Sequence, residues 1–431
     1  MAGPPHSCRR SFAGVKAHEA LAWKRAFRFL IPGTAPVVSR SPLLPIFLIV
    51  LVDVLGLTII LPLLPFYAEH LGASATVVGL LMSSYAFCQL ISGPILGRWS
   101  DHIGRKPLLM ISQCGTLIGF LILAFAGSLW MVFLSRIIDG FTAGNLSLAQ
   151  AYIADVTTPD NRAKSFGLIG IAFGVGFFIG PGISGFLAQF GYVYPIFAAA
   201  FLSASSIVCT ATLLPKVVPH ADEGDSGPGG RRLSVLDWES YAQYFARPKL
   251  GRLLWQFFFF AFSFALFISG FALYAQRRYT LHGQPFGPKE VGYVFVWVGF
   301  LGIIMQGGLI GRLVKLFGER TLVWTGFAIS GVGYGLLAWT RTIGGLLGAC
   351  TVNSCGGALR PALTSLITQR ADPREQGVVL GLTQSITSIS QIVAPVIAGS
   401  LIDREQLGAW ALATAGVAFL GMLASLPGKA E

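Results

Sequence analysis

Gly97-Arg98-Trp99-Ser100-Asp101-His102-Ile103-Gly104-Arg105-Lys106-Pro107 is a charged, glycine-punctuated segment between two apolar runs of helix length. A weaker copy lies 214 residues downstream, as Gly311-Arg312-Leu313-Val314-Lys315-Leu316-Phe317-Gly318-Glu319-Arg320. The same offset, without a gap, carries Pro159 onto Pro373, Gly167 onto Gly381, Leu168 onto Leu382, Pro181 onto Pro395, Ile183 onto Ile397 and Gly185 onto Gly399. The chain therefore reads as two copies of one unit. A duplicated membrane bundle can open its pseudo-symmetric seam to either side in turn.

The unit is a membrane unit. Of 431 residues, 54% are apolar and 12% charged, with a mean hydropathy of +0.68. A soluble domain carries about twice that share of charge. The apolar runs are long enough to cross the hydrocarbon core as helices, and they are continuous rather than alternating, which argues against a barrel. Twelve spans are expected at roughly 44–67, 75–96, 108–127, 130–155, 166–187, 193–215, 252–275, 289–311, 321–340, 343–368, 378–401 and 407–426. The expected fold is an all-α membrane protein with twelve transmembrane helices in two pseudo-symmetric six-helix bundles.

The net charge of +12 does not indicate nucleic acid, because its distribution is topological. With both termini on one side, loops on that side hold 23 of the 31 Lys and Arg residues and loops on the other side hold four, while Arg136, Arg252, Lys289 and Arg360 fall inside spans. The positive-inside rule then places both termini in the cytoplasm of a multi-pass protein of the cell (inner) membrane. The outer loop 276–288, with Arg277 and Arg278, is an exception. The six cysteines show no metal spacing and no disulfide framework. Residues 1–43 read as a basic cytosolic tail, since the span after them is too long for a signal sequence. Residues 44–215 form the first bundle, 216–251 a cytoplasmic linker and 252–427 the second bundle. Within the linker, 224–230 is Gly/Pro/Ser-rich, while Leu233–Trp238 and Tyr241–Phe245 suggest a short amphipathic helix at the membrane surface.

In the 97–107 segment, Gly97 and Gly104 allow helix ends to approach tightly. Asp101 can sit at the positive end of a neighbouring helix, and Arg105, next to Lys106, can pair with Asp155 at the close of the fourth span. Such a cluster would latch the cytoplasmic side. The copy has Lys315 in place of Asp101, so the latch is expected mainly in the first half.

This segment resembles the signature of the major facilitator superfamily, a glycine–aspartate–glycine–arginine–lysine loop after the second helix. The resemblance runs from about residue 44 to 427. Arg136-Ile137-Ile138-Asp139-Gly140 looks like the family's arginine–glycine motif in the fourth helix. Gly176-Phe177-Phe178-Ile179-Gly180-Pro181-Gly182-Ile183-Ser184-Gly185 looks like the antiporter motif of the fifth. Asp53, in Leu51-Val52-Asp53-Val54-Leu55-Gly56 and followed by Leu61-Pro62-Leu63-Leu64-Pro65, is similar to the first-helix motif of the drug/proton antiporter branch, in particular the tetracycline/proton antiporters. The resemblance implies a seal against leak at the fifth helix and a functional role for Arg136. The tetracycline antiporters carry further ionisable residues where this chain has Gly119, Gly302 and Ser330, so tetracycline is not the expected cargo.

The residues themselves support part of this. A carboxylate at mid-span, such as Asp53, is costly in lipid and belongs in an interior or aqueous path. Withdrawn from bulk water, its charge is costly to keep, which suits it to taking up and releasing a proton. A structural hydrogen-bonding role is the other reading. Arg136 and Asp139, three residues apart on one helix, can pair with or without a functional role. Arg360, before Pro361, shows no partner in the sequence. It suits binding an anionic group or snorkelling to the interface. Gly176, Gly180 and Ser184, at four-residue spacing, let two helices touch, Pro181 permits a bend, and Gly185 continues the run. The run lacks the preceding strand of a nucleotide-binding loop. The polar residues expected to face the middle are Gln89, Gln113, Asn145, Gln150, Gln306, Asn353, Gln384 and Gln391. With 33 Phe in the chain, they suggest an apolar, aromatic cavity for a hydrophobic or cationic small molecule.

The expected activity is secondary active transport, as a proton-coupled efflux antiporter of a small amphipathic molecule. The alternative is a symporter or facilitator that imports a small, possibly anionic, metabolite. The expected partners are the cargo, the proton and the lipid bilayer, with the monomer as functional unit. No cofactor, metal site or enzymatic nucleophile–base set is suggested.

Overall fold

A computed structural model describes residues 43–157, 159–215, 238–372 and 375–425. The expected N-terminal tail and most of the linker lie outside the described residues. Among the described residues, nine helices are long and apolar enough to cross a membrane. They include α1 (Leu43–His70), α2 (Ala75–Ile103), α3 (Arg105–Ala124), α6 (Pro159–Ala188), α7 (Val193–Leu213) and α9 (Pro248–Arg278). One crossing helix runs on for 49 residues, from Pro288 to Leu336. It contains α10 (Pro288–Ile303), a π-helical turn at Ile304–Leu309 and α11 (Ile310–Leu336), and it folds back at Gly318 (φ 74°), so it supplies two crossings. The last two crossings are α14 (Gln376–Asp403) and α15 (Leu407–Ser425).

The remaining two crossings are broken. The fourth is α4 (Leu129–Thr142) and α5 (Asn145–Val156), and the tenth is α12 (Ile343–Cys355) and α13 (Leu359–Arg370). The twelve expected spans are thus accounted for, but the sequence reading treated these two as continuous. The breaks obey the repeat: Gly144, which opens α5, falls on Ala358, which opens α13, at the offset of 214. Irregular backbone at membrane depth is tolerated only inside protein or along a cavity.

Two local expectations are corrected. The 97–107 segment is mostly helix: α2 runs to Ile103, and the chain turns at Gly104 alone, whose φ of 100° suits glycine. The copy turns the same way at Gly318. The surface helix of the linker, α8, covers Trp238–Ala246, and α9 begins at Pro248, inside the segment assigned to the linker. In the loop after α9, Thr280–Leu281 (β1) pairs antiparallel with Gln284–Pro285 (β2).

The end of the bundle that carries Gly104 and Gly318 is here the turn end, and the opposite end is the far end. Buried apolar side chains divide between the ends. At the far end one cluster draws on both halves, from Ile59, Leu63 and Phe120 to Phe271, Tyr274 and Trp410. At the turn end there are two, one of the first half around Ile46, Leu109 and Tyr152 and one of the second around Leu254, Phe327 and Leu363. The halves therefore share a core at the far end and keep separate cores at the turn end, where Trp99, Ile103, Leu316 and Phe317 are exposed.

Two helix pairs form the seam, α2 against α14 and α6 against α10. A Cβ on Gly79 would lie 2.3 Å from the Pro395 carbonyl oxygen, and one on Gly399 2.2 Å from that of Ala75. Ser83 Oγ donates to the Ile392 carbonyl at 2.5 Å. The fifth-span run has two packing faces. Gly176 and Gly180 meet Val54 and Thr58 of α1, whereas Pro181 and Gly185 meet Gly292 and Lys289 of α10 across the seam. Small residues permit such backbone approach.

Candidate functional site

Asp53 lies ten residues into α1 and is half-buried. Its carboxyl faces Gln113 of α3 and Ser206 of α7, with Asp139 of α4 nearby. Gln113 Nε2 donates to Ser206 Oγ at 2.8 Å, and Ser203 Oγ donates to the Gln113 carbonyl at 3.4 Å. Gln113 Oε1 is buried without a partner. The carboxyl of Asp53 thus faces the interior of the first half.

Arg136 and Asp139 pair as the i, i+3 spacing suggests, with Nη1 and Oδ2 3.3 Å apart and each residue 5% exposed. The guanidinium also lies over the Phe120 ring, 5.9 Å from its centre, and its Nη2 is buried without a partner. Thr116 of α3 and Tyr85 of α2 face Asp139. Gly119 has a structural use here: a Cβ at that position would lie 3.0 Å from the Cβ of Asp139. Asp53, Gln113, Arg136 and Asp139 therefore come together in one half.

At the repeat offset, Arg136, Asp139 and Phe120 correspond to Cys350, Asn353 and Tyr334. Tyr334 faces Asn353, and Cys350 lies close by. The second half thus carries an uncharged version of the same arrangement. Of the other candidates, Gln306 is exposed on the π-turn, Gln384 is exposed on α14, and Gln89 is half-buried on α2. Asn145 opens α5 with its Oδ1 buried and unpartnered. Arg360, the second residue of α13, is exposed. The sequence reading did not single out Tyr85, Thr116 or Ser206. Hydroxyl residues are frequent in apolar helices, where they bond to their own backbone, so nothing in the sequence marked these.

At the turn end Arg105 joins two carboxylates of the first half. Arg105 Nε lies 2.8 Å from Asp155 Oδ2, its Nη1 2.6 Å from Asp101 Oδ1, and Nη1 also reaches Ser100. Lys106 Nζ donates to the carbonyls of Ala211 (2.8 Å) and Leu214 (2.6 Å) at the end of α7. These contacts brace α2, α3, α5 and α7 within the first half. Open space surrounds Gly97. The copy reverses polarity. Glu319, equivalent to Arg105, accepts from Gln369, equivalent to Asp155, at 3.0 Å and from Ser365 at 2.6 Å.

The far end is tied across the halves. Asp403, at the end of α14, accepts the backbone N–H groups of Ala75 (2.7 Å) and Thr76 (2.8 Å) and the Thr76 hydroxyl (2.5 Å). It therefore caps α2 from the other half. Arg277 bridges Glu69 at 3.1 Å and Asp403 at 3.8 Å. Arg278 donates to the carbonyls of Ala338 and Thr340. These bonds explain why two arginines close α9 at the end that the charge rule would leave uncharged.

A duplicated helical membrane bundle, with ionisable side chains inside one half and a seam closed at one end, defines a secondary transporter of the alternating-access class. The chain belongs to the Major Facilitator Superfamily, whose profile matches residues 46–395 and 283–429. It is 30% identical over 357 residues to the tetracycline resistance protein, class H, of Pasteurella multocida, covering 82% of this chain and 86% of that one. It is 29% identical over 372 residues to multidrug resistance protein 2 of Bacillus subtilis (strain 168), covering 83% and 89%. Its fold is similar to that of the human organic anion transporter MFSD10 (TETRAN), with a TM-score of 0.68 at 23% identity over 90% of this chain and 99% of that one.

Proposed function

We propose that this protein exports a small amphipathic molecule in exchange for protons, with Asp53 as the proton-carrying group. The observation that carries the reading is the placement of Asp53 beside Gln113, Ser206 and the Arg136–Asp139 pair, inside the first half. With both carboxylates ionised and Arg136 charged, this interior holds one net negative charge. A proton or a positively charged cargo group neutralises it, so the two compete. Coupling then requires that each occupant favour a different facing state. The names of the resistance relatives favour export over import. The charge distribution supports a cytoplasmic turn end, and hence cytoplasmic termini in the inner membrane. With its far end sealed, the protein then stands open to the cytoplasm, where cargo enters. The second reading, import of an anionic metabolite held by Arg360, rests on that residue's exposure.

Reconstitution into liposomes tests the proposal. Asp53→Asn is expected to insert normally and to abolish transport driven by a pH gradient. Undiminished gradient-driven flux in this variant would remove Asp53 from the mechanism. The direction of counter-flow separates export from import.

A further inference from the structure

The two halves carry opposite charge in their membrane-embedded parts, and the exchange scheme uses only one of them. The first half holds Asp53, Asp139 and Arg136, one net negative charge when all are ionised. The second holds Arg360. Arg360 lies ten residues before Arg370, the last residue of α13, and Asp53 lies ten residues after Leu43, the first residue of α1. At 1.5 Å per residue, both sit about 15 Å from the turn end. A lipid-facing guanidinium at that depth would have to snorkel further than one side chain extends.

Other observations argue that Arg360 faces an internal cavity. Its side chain is exposed on the protein surface. Its neighbours on α13, Leu359, Ala362, Leu363 and Ile367, are buried in the core of the second half, so the helix is packed into protein beside Arg360. The backbone beside it is irregular twice over, at the helix break and at the π-turn. These two touch: a Cβ on Gly357 would lie 3.5 Å from Met305 Cγ. Such backbone at membrane depth lines a cavity or is buried in protein, and the exposed Gln306 favours the cavity. Arg360 accepts a hydrogen bond from Thr364 at its backbone carbonyl. Among the described residues no ion pair involves its guanidinium.

We infer that the cargo is a zwitterionic amphipath, whose carboxylate or sulfonate rests on Arg360 and whose basic group lies towards Asp53. The inference rests on the proton-exchange reading, and the sign of the coupling requires both groups. An anion alone would bind best when Asp53 is protonated, which carries cargo and proton in the same direction. A cation alone would compete with the proton but leave Arg360 without a counter-charge. A zwitterion competes with the proton through its basic end and satisfies Arg360 through its acidic end.

The test uses three matched fluorescent probes on the full chain: 6-(piperazin-1-yl)-2-naphthoic acid, its methyl ester and its N-acetyl derivative. They present both charges, the cation only and the anion only. Fluorescence anisotropy in detergent reads their affinities. Wild type is expected to bind the zwitterion about tenfold or more tighter than either analogue, since each retained charge contact is worth on the order of 1.4 kcal/mol. In Arg360→Gln the zwitterion-to-ester ratio should fall to near one, and Arg360→Lys should restore part of it. A wild-type ratio near one, no wild-type binding of the zwitterion, or a ratio that Arg360→Gln leaves intact would overturn the inference. Exchange of the ester against protons by wild-type liposomes is a separate readout. If it proceeds while the ratio is one, the exchange reading stands and the zwitterion inference falls. If no probe exchanges against protons, the exchange reading itself fails.

Discussion

Replacing Asp403 by alanine should unseal the far end without disturbing either half. In the closed state this carboxylate accepts two backbone N–H groups and a hydroxyl from the first turn of α2, and it stands 3.8 Å from Arg277. Hydrogen bonds to a charged acceptor are worth about 1.5–3 kcal/mol each when buried, and a charge at a helix N-terminus about 0.3–1 kcal/mol. The side chain is 26% exposed, so water replaces part of what is lost, and the sum is discounted to about 2 kcal/mol. Because the contacts join opposite halves, the whole loss falls on the far-end-closed state. At 1.4 kcal/mol per decade, the closed-to-open ratio should drop about 30-fold. Asp403→Asn keeps one acceptor oxygen and should lose about half of that free energy. Electron–electron double resonance between spin labels at His70 and Gln406, in a background freed of native cysteines, reads the populations directly. A long-distance component should grow in Asp403→Ala, and more weakly in Asp403→Asn. Arg277→Ala, which breaks the bridge to Glu69, should shift the distribution the same way. Distance distributions for Asp403→Ala that superimpose on wild type would refute the reasoning.

Three further outcomes are expected. Arg105→Ala leaves two carboxylates at the turn end without their shared cation and should destabilise the first half by about 2–3 kcal/mol, read as a lowered midpoint of thermal unfolding in detergent. Arg105→Lys should recover less than half of this, because an ammonium cannot present the guanidinium fork to both partners. Gly79→Ala places a methyl 2.3 Å from the Pro395 carbonyl oxygen and should shift the same spin-label pair towards the open distance, with no change in expression. Arg247, stacked on Tyr244 of the linker helix, forms a two-pronged bond to Glu375 and holds that carboxyl below its usual range. The bond is therefore fully formed above the ordinary glutamate value of 4.5 and is lost as pH falls through the depressed one. Protection of α8 against hydrogen exchange, taken relative to the intrinsic rate at each pH, should accordingly hold down to pH 4.5 and fall below it, and in Glu375→Gln it should be low at every pH.

Much of the site was legible in part. Asp53 and the Arg136–Asp139 pair could be named from the chain because charge inside an apolar span is rare and i, i+3 neighbours lie on one helix face. The Arg105–Asp155 bond was foreseeable because two helix ends on one side must meet. Gln113 was legible only as a polar residue in a span, and its role beside Asp53 depends on Ser206, 93 residues further on. Tyr85 and Thr116 carried no signal, since neither residue type is unusual in a membrane helix. The breaks at 143–144 and 356–358 were missed because their glycines read equally well as packing positions.

The sequence by itself determined the number of crossings, their order, the repeat and the side on which positive charge collects. These follow from local physics: each span must be apolar, must close its own backbone hydrogen bonds as helix, and must end in charge the bilayer rejects. Tertiary structure alone decided which polar groups surround Asp53, which end of the seam is shut and what shuts it. Those contacts join residues as far apart as Ala75 and Asp403. Their strength depends on which of two arrangements the halves adopt, and both arrangements satisfy the same hydropathy.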